Sequence, residues 1–478
     1  MKALLVYPPT GVFDRTDRCQ TPIDLTGSQA ARPPLDLAYM AGGLKLRGVE
    51  CILRDYPVQG GGWPRLVEDL HQLKPHYFIV SITTFSYHLD MRAVRIAKSL
   101  NPETITIAKG AHFQKNHGQM LVEYPELDIA IINESELVPA EITGGDWSRV
   151  RGIAFRDPEQ GNIIETKTRK FLSNLDSLPR PARELMDLQC YRLPHTNNIY
   201  TTVLASRGCP YACIYCLVDN VSGKKVARRS PASLVEEMEV CSSTLGCADF
   251  LLKADTFTLD KTWVHEFCDL LIKKGTGFQW FTNSRPDTID YPLALKMRAA
   301  GCWMLAIGVE SGNQELLNRI GKKISLNAIR QGIRACQKAQ IQTFLYFVIG
   351  LPWDNNRTIR QTLDFARELD GDYVEFHPLF PFPGTALYKL GRTQGLFNVS
   401  DQKTEEIKPD QFLRTYSLSM KEINRLRLAG LITYYLRFSY LRKAWRRFGL
   451  NGFFRLSFFA LTRLLGSIYK TAIKPYRP

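Results

Sequence analysis

Strand-like and helix-like runs alternate along most of this chain, and no other feature narrows its possible folds so far. "KALLVYPPTG" is a short apolar burst stopped by Pro and Gly, as expected of a buried parallel strand that ends in a loop. A helical "PLDLAYMAGGLKLRG", a strand "ECILRDYP", a helix "WPRLVEDLHQLKP" and a strand "YFIVSITTF" follow. "HLDMRAVRIAKSLNP" and the strands "TITIAKG" and "LDIAIIN" complete the set. This βα spacing predicts an α/β fold over residues 1–145, an open, doubly wound, Rossmann-like parallel sheet that takes ligands beyond the carboxyl ends of its strands. Residues 146–198 read as a β-hairpin, "VRGIAFRDPEQGNIIETKTRKF", and a proline-marked connector. Alternation then resumes for six rounds over 199–390: "YTTVLASR", "DFLLKAD", "FQWFTNSRP", "WMLAIGVES", "QTFLYFVIG" and "DYVEFHPLF". Six βα units in one sheet predict a partial (β/α)6 barrel working at its strand C-termini. Residues 391–478 are aromatic-rich and are expected to be mostly helical.

At 478 residues and 45% hydrophobic content, the chain exceeds what one core usually serves. Two domains and an appendage are expected. "MKALLVYPP" is too short an apolar run for a signal sequence, and eleven cysteines without one fit a reducing, cytoplasmic setting. No uncharged apolar run approaches the roughly 18 residues of a membrane span. The net charge of +15 is concentrated in the tail: residues 421–478 carry thirteen Lys and Arg against Glu422 alone. The central chemistry therefore belongs to a nearly neutral body, and nucleic acid is not expected as a partner.

The densest chemical signal is "SRGCPYACIYCLVDN", which places Cys209, Cys213 and Cys216 in one loop directly after the first barrel strand. Thiolates favour soft metals, and a short loop can wrap three of them around one face of a cubic iron–sulfur cluster, leaving one iron open. A structural zinc site is the competing reading, but it wants four closed ligands. Cys241 and Cys247, the nearest downstream thiols, fall in or just after a helix.

C-x3-C-x2-C with Tyr215 before the last cysteine resembles the signature of radical S-adenosylmethionine enzymes. The resemblance implies a [4Fe-4S] cluster whose open iron is chelated by S-adenosylmethionine, which is cleaved to a 5′-deoxyadenosyl radical by an electron from a donor such as flavodoxin or ferredoxin. Later strand ends are similar to the same family. "LLKADTFTLD" implies that Asp255 faces the cofactor amino group, and "FTNSRPD" makes Arg285 a carboxylate ligand or nearby anchor. "AIGVESGNQELLNRIGKK" brings Glu310 and Ser311 toward ribose or methionine, and "FVIGLPWDN" lets the backbone at Gly350 approach adenine. "PLFPFPGTALY" resembles the sixth strand ending. Taken alone, each is an ordinary strand end.

The N-terminal domain resembles the cobalamin-binding domain of the B12-dependent branch, with Ser81, Thr83, Thr84, Gly110, His112, Glu134 and Glu136 at the matching positions. A D-x-H-x-x-G motif is absent, and "AKGAH" and "NESE" replace the usual glycine pairs. A purely structural sheet domain is the alternative. With cobalamin, the resemblance implies a C-methyltransferase acting on an unactivated carbon of a lipid-like or other small molecule. Oxidative or ring-forming radical chemistry is the second enzyme reading, and a non-catalytic iron–sulfur sensor the third. A methylthiotransferase would need a second set of N-terminal cysteines, where only Cys19 and Cys51 occur. In the tail, "LRKAWRRF" sets Leu441, Ala444, Trp445 and Phe448 against Arg442, Lys443, Arg446 and Arg447. Such a helix suits an anionic membrane surface on the cytoplasmic side, or else packs its apolar side on the barrel.

Overall fold

The computed structural model describes residues 1–17, 20, 31–397, 412–443 and 445–446. The N-terminal apolar bursts become β1 (Lys2–Tyr7), β2 (Glu50–Asp55), β3 (Tyr77–Ser81), β4 (Ile105–Lys109) and β5 (Ile129–Ile131), all parallel, in the order β2-β1-β3-β4-β5. Helices cover both faces, so β3 is buried at every residue. Leu4, Val6, Phe78 and Val80 pack with Leu66, Met91 and Leu121 on one side. Leu5, Ile79, Ile107 and Ile129 pack with Leu37 and Met40 of the helix Leu35–Lys45 on the other.

The hairpin expected in the connector instead extends this sheet. β6 (Ile153–Arg156) pairs antiparallel with β5, and β7 (Ile163–Glu165) with β6, giving seven strands. Ile153, Ala154 and Phe155 are all buried, which requires a sheet edge to dock on. The alternation predicts the hairpin but not its partner.

The second sheet contains β8 (Tyr200–Leu204), followed by a two-residue antiparallel ladder, β9 (Ser206–Arg207) with β10 (Ala227–Arg228). β11 (Asp249–Lys253), β12 (Gln279–Ser284), β13 (Cys302–Glu310), β14 (Gln342–Ile349) and β15 (Tyr373–Pro378) follow. The six long strands are parallel and lie in sequence order, as in a partial barrel. Outer helices begin at Ser230, Asp260, Asp290, Asn313, Ser325 and Asn355, each accepting a bond from a first-turn N–H. Val203, Phe250, Trp280, Leu305, Phe347 and Phe376 form the core between strands and helices. Tyr200 and Leu251, at the barrel base, share a buried cluster with Leu5, Leu37 and Ile79, joining the two domains.

The helix Met420–Tyr435, capped by the Ser419–Glu422 box, covers the open edge of β15. Tyr435 Oη accepts from Val374 N at 2.9 Å and donates to Val374 O at 2.7 Å, and Arg427 Nε donates to Phe376 O at 2.8 Å. An uncovered edge strand invites pairing with other chains, so this helix also protects the barrel. Arg437 pairs with Asp370 and Lys443 with Asp372, so these tail cations are spent on the barrel. Of "LRKAWRRF", Ala444, Arg447 and Phe448 lie outside the described residues, as does the aromatic stretch after it, and Trp445 is exposed. Ending the chain at residue 419 leaves Val374 N, Val374 O and Phe376 O unpaired, each missing bond costing about 1 kcal/mol or more. A melting midpoint several degrees lower, with concentration-dependent aggregation, is expected by calorimetry and light scattering. Among the described residues no helix is long and apolar enough to cross a membrane.

Candidate functional site

The cysteine loop lies at the mouth of the barrel and is tied to the segments that follow β11, β13 and β15. Gly208 N donates to Asp255 Oδ2 (2.7 Å), Ile214 N to Ile320 O (3.1 Å), and Leu387 N to Ile214 O (2.9 Å). Gly208 has φ +91°, and a Cβ there would meet Lys225 O at 2.2 Å, so the loop requires glycine. Cys209, Cys213 and Cys216 are half-buried thiols outside any disulfide, whereas Cys241, Cys247, Cys268, Cys302 and Cys336 are buried. Burial raises the Cys213 thiol pKa, while Lys322 and Arg285 beside it favour the thiolate.

At the end of β13 the pairing slips by one residue between Gly308 and Glu310, and Glu310 takes φ +71°, a strained value for a side-chain-bearing residue. Its carboxylate accepts from Lys322 Nζ at 2.8 Å. A Cβ at residue 308 would come within 2.5 Å of Glu310 Oε1, so glycine leaves room for this pair. Tyr215 lies against Glu310, and burial and then that carboxylate hold its phenol well above the ordinary range.

Of the other strand-end residues, Ser311 alone points away from the barrel mouth. Asp255 serves the loop itself through Gly208 N. Arg285 acts as an anchor: it forks onto Asp287 at 3.0 and 2.9 Å, donates to Lys322 O, and stacks 3.5 Å over Tyr211. Ser311 does not face the cofactor side. The turn at Glu310 aims it outward, 3.2 Å from Thr362 Oγ1 and accepting from Asn313 N. Gly350 has φ +86°, and the space where its Cβ would lie is bounded by Ile423 of the tail helix at 3.2 Å.

At the carboxyl edge of the first sheet the residues are heavily cross-linked. Arg15, fully buried, donates to Ser81 O and pairs with Asp90 at 2.9 Å. Ser81 Oγ donates to Asp36, Thr83 N to Asp90, and Thr84 N to Gln20 Oε1. Gly110 packs against Ile82, whose carbonyl a Cβ would meet at 2.4 Å. His112 stacks on Tyr87 at 4.2 Å, and its Nδ1 is buried without a partner, as is Glu134 Oε1. Burial pushes His112 down to about 3 and His88 to about 4, so both stay neutral in the fold. The unfolded chain takes up their protons below about pH 6.5, so stability falls as the pH drops from there toward 4. Asp55 and Asp354, raised to about 6 by burial, oppose this slope. His112→Asn should therefore flatten the acid limb of melting temperature against pH relative to wild type.

Arg207, which the sequence reading did not single out, joins the two edges. Two residues before Cys209, it donates to Glu134 Oε2 and Glu136 Oε1, both at 2.5 Å. All three side chains are largely buried. Burial raises Glu134 to about 7 despite Arg207, and Arg207 holds Glu136 below its ordinary value against burial. The one signal available was "SRGC" following a strand, with an Arg inside the loop's base.

Three half-buried thiols on an anchored loop flanked by Arg285 and Lys322 suit an anionic cubic cluster, in which each thiolate ligates its own iron. Among the described residues no three His, Cys, Asp or Glu side chains gather on one metal ion, as a mononuclear site would require. On the first sheet, the unpartnered Nδ1 of His112 and Oε1 of Glu134 leave buried hydrogen-bonding capacity for a ligand at the strand ends.

Comparison with known proteins agrees. The radical SAM superfamily pattern matches residues 203–366 and the B12 binding domain pattern residues 28–143, together more than half of the chain. The chain belongs to the cobalamin-binding-domain branch of the radical S-adenosylmethionine enzymes, whose cofactors are a [4Fe-4S] cluster, S-adenosylmethionine and cobalamin. It is 25% identical over 443 residues to an uncharacterized methyltransferase of Pyrococcus horikoshii, covering 91% of this chain and 93% of that one. It is 27% identical over 396 residues to an anaerobic magnesium-protoporphyrin IX monomethyl ester cyclase of Rubrivivax gelatinosus, covering 79% and 70%. The solved structure of the cobalamin-dependent S-adenosylmethionine radical enzyme OxsB shares its fold, with a TM-score of 0.73 at 15% identity over 98% of this chain and 72% of that one.

Proposed function

We propose that this chain is a C-methyltransferase acting on an unactivated carbon of a small-molecule or lipid-like substrate. The observation that supports this reading is the Arg207 fork, which ties the carboxyl edge of the first sheet to the cysteine loop, the two edges that would carry the cofactors. When bound, the cluster supplies the electron that opens the sulfonium of S-adenosylmethionine, and cobalamin supplies the methyl group.

The chain's own residues position and enclose. Cys209, Cys213 and Cys216 would hold three irons of the cluster. Tyr215, Glu310 and Lys322 line the S-adenosylmethionine side, with Asp255 and Arg285 fixing the loop around it and Gly350 shaping the adenine side. Ser81, Thr83, Thr84, Gly110, His112, Glu134 and Glu136 form the cobalamin edge. Phe85, after β3, meets Phe380 at 4.4 Å and Phe382 at 5.8 Å, an aromatic contact between the first sheet's edge and the end of the barrel.

A full-length, reconstituted chain given S-adenosylmethionine with a deuterated methyl group should yield a product carrying that methyl on carbon. A product that loses hydrogens and gains no label would favour the ring-forming reading, which the similarity to the Rubrivivax cyclase supports. An electron donor of the flavodoxin or ferredoxin class is part of this proposal. So is attachment of the basic tail to an anionic membrane. Flotation with anionic vesicles tests it: full-length protein should float and a chain ending at residue 443, which keeps the docked helix, should not.

A further inference from the structure

The carboxylate of Glu375 is 4% exposed, and neither oxygen has a hydrogen-bond partner. Burying such a group costs free energy unless something fills its acceptor sites. Along β15, Val374 and Phe376 enter the outer core. Strand alternation therefore puts Tyr373, Glu375 and His377 on the concave side. Tyr373 packs there with Met304, Ala306 and Phe344.

Around the carboxylate, His377 Nε2 lies 3.4 Å from Oε2, and Arg427 and Tyr435 of the tail helix face it electrostatically. Arg427 Nε is engaged by Phe376 O, so the helix is held without Glu375. On the open side stands an aromatic wall: Tyr346 lies 4.6 Å from Phe344 and 5.5 Å from His377, and Phe344 is 5.9 Å from Tyr373. Tyr346, Tyr373 and His377 are half-exposed, so the concavity is open.

Register locates this group relative to the cofactor mouth. Gly308 pairs with Tyr346 and Tyr346 with Glu375, in one row across three strands. At roughly 4.8 Å per strand, Glu375 lies about 10 Å across the sheet from the glycine beneath the Glu310–Lys322 pair. That is the span of a small organic molecule.

We infer that Glu375, with His377 beside it, is the polar anchor of the substrate site. It accepts hydrogen bonds from an N–H or O–H group of a substrate whose apolar or aromatic body lies on Phe344, Tyr346 and Tyr373. The inference rests on the barrel's concave face being the substrate site of the proposed reaction. It is tested by binding, so that it can fail while methyl transfer stands, or stand while methyl transfer fails.

The probe is benzamidine, an aromatic ring with paired N–H donors, with donor-free toluene as control, titrated into full-length reconstituted protein by ligand-observed NMR. Wild type should bind benzamidine saturably. Glu375→Gln should weaken benzamidine at least tenfold and leave toluene unchanged, while Tyr346→Leu, which keeps the carboxylate, should weaken both. Absence of saturable benzamidine binding in wild type overturns the inference. So does unchanged affinity in a folded Glu375→Gln. If that variant does not fold, unchanged affinity for both probes in Tyr346→Leu overturns it, and weakening of both supports it.

Discussion

Cys213→Ala is expected to lower reductive cleavage of S-adenosylmethionine to 5′-deoxyadenosine at least a thousandfold and to strip most of the iron from reconstituted protein. The three cysteines share one anchored loop, and among the described residues no other thiol of the barrel is half-exposed near it. Losing one of three thiolates leaves an incomplete cluster with no replacement at hand. Cys268→Ala provides the contrast, because that thiol is buried in the outer core and burial raises its pKa. It should lower stability without changing iron content. Retained cleavage in Cys213→Ala would remove that thiol from the ligand set.

Arg207→Met should have the largest effect on stability. It leaves Glu134 and Glu136 facing each other in a largely buried site without their shared cation. Breaking a buried ion pair by deleting one partner costs roughly 3–5 kcal/mol. Thermal unfolding should shift down by many degrees and separate into two transitions, since Arg207 belongs to the barrel and both carboxylates to the first sheet. Glu134→Gln should be milder. Glu134 is already raised to about 7, and the amide oxygen can still accept from Arg207. A single unshifted transition in Arg207→Met would show that the fork does not hold the domains together.

Elements whose signals are local were legible in the sequence. Apolar bursts bounded by Pro and Gly located the parallel strands, and the cysteine spacing located the loop. Partners that meet only in space were not. "GIAF" reads as a hairpin strand, but its pairing with β5 depends on a sheet edge formed by residues about twenty positions earlier. Ser311 was placed on the cofactor side by the resemblance of "AIGVES" to the family's fourth strand. The slipped pairing and positive φ at Glu310 decide where the chain goes next, and a non-glycine residue gives no warning of them. The tail's charge pattern at 441–448 allowed a membrane face or a barrel face; there Lys443 pairs with Asp372 while Trp445 is exposed, and the helix that covers the open edge of β15 is the earlier one, Met420–Tyr435. Arg207 and Glu375 went unnoticed for a similar reason. An arginine after a strand and a glutamate within one are common, and burial is what makes these two consequential.

The central claim is that one chain holds a cluster and cobalamin at the same interface. It is tested most directly by metal content and the ultraviolet–visible spectrum of full-length protein, reconstituted anaerobically with iron and sulfide, supplied with hydroxocobalamin and desalted. About four irons and about one cobalt per chain are predicted, with the cobalt reduced in Glu134→Ala and the iron lost in Cys213→Ala. Full iron with no retained cobalt would contradict the claim and leave the first sheet as a scaffold for the barrel.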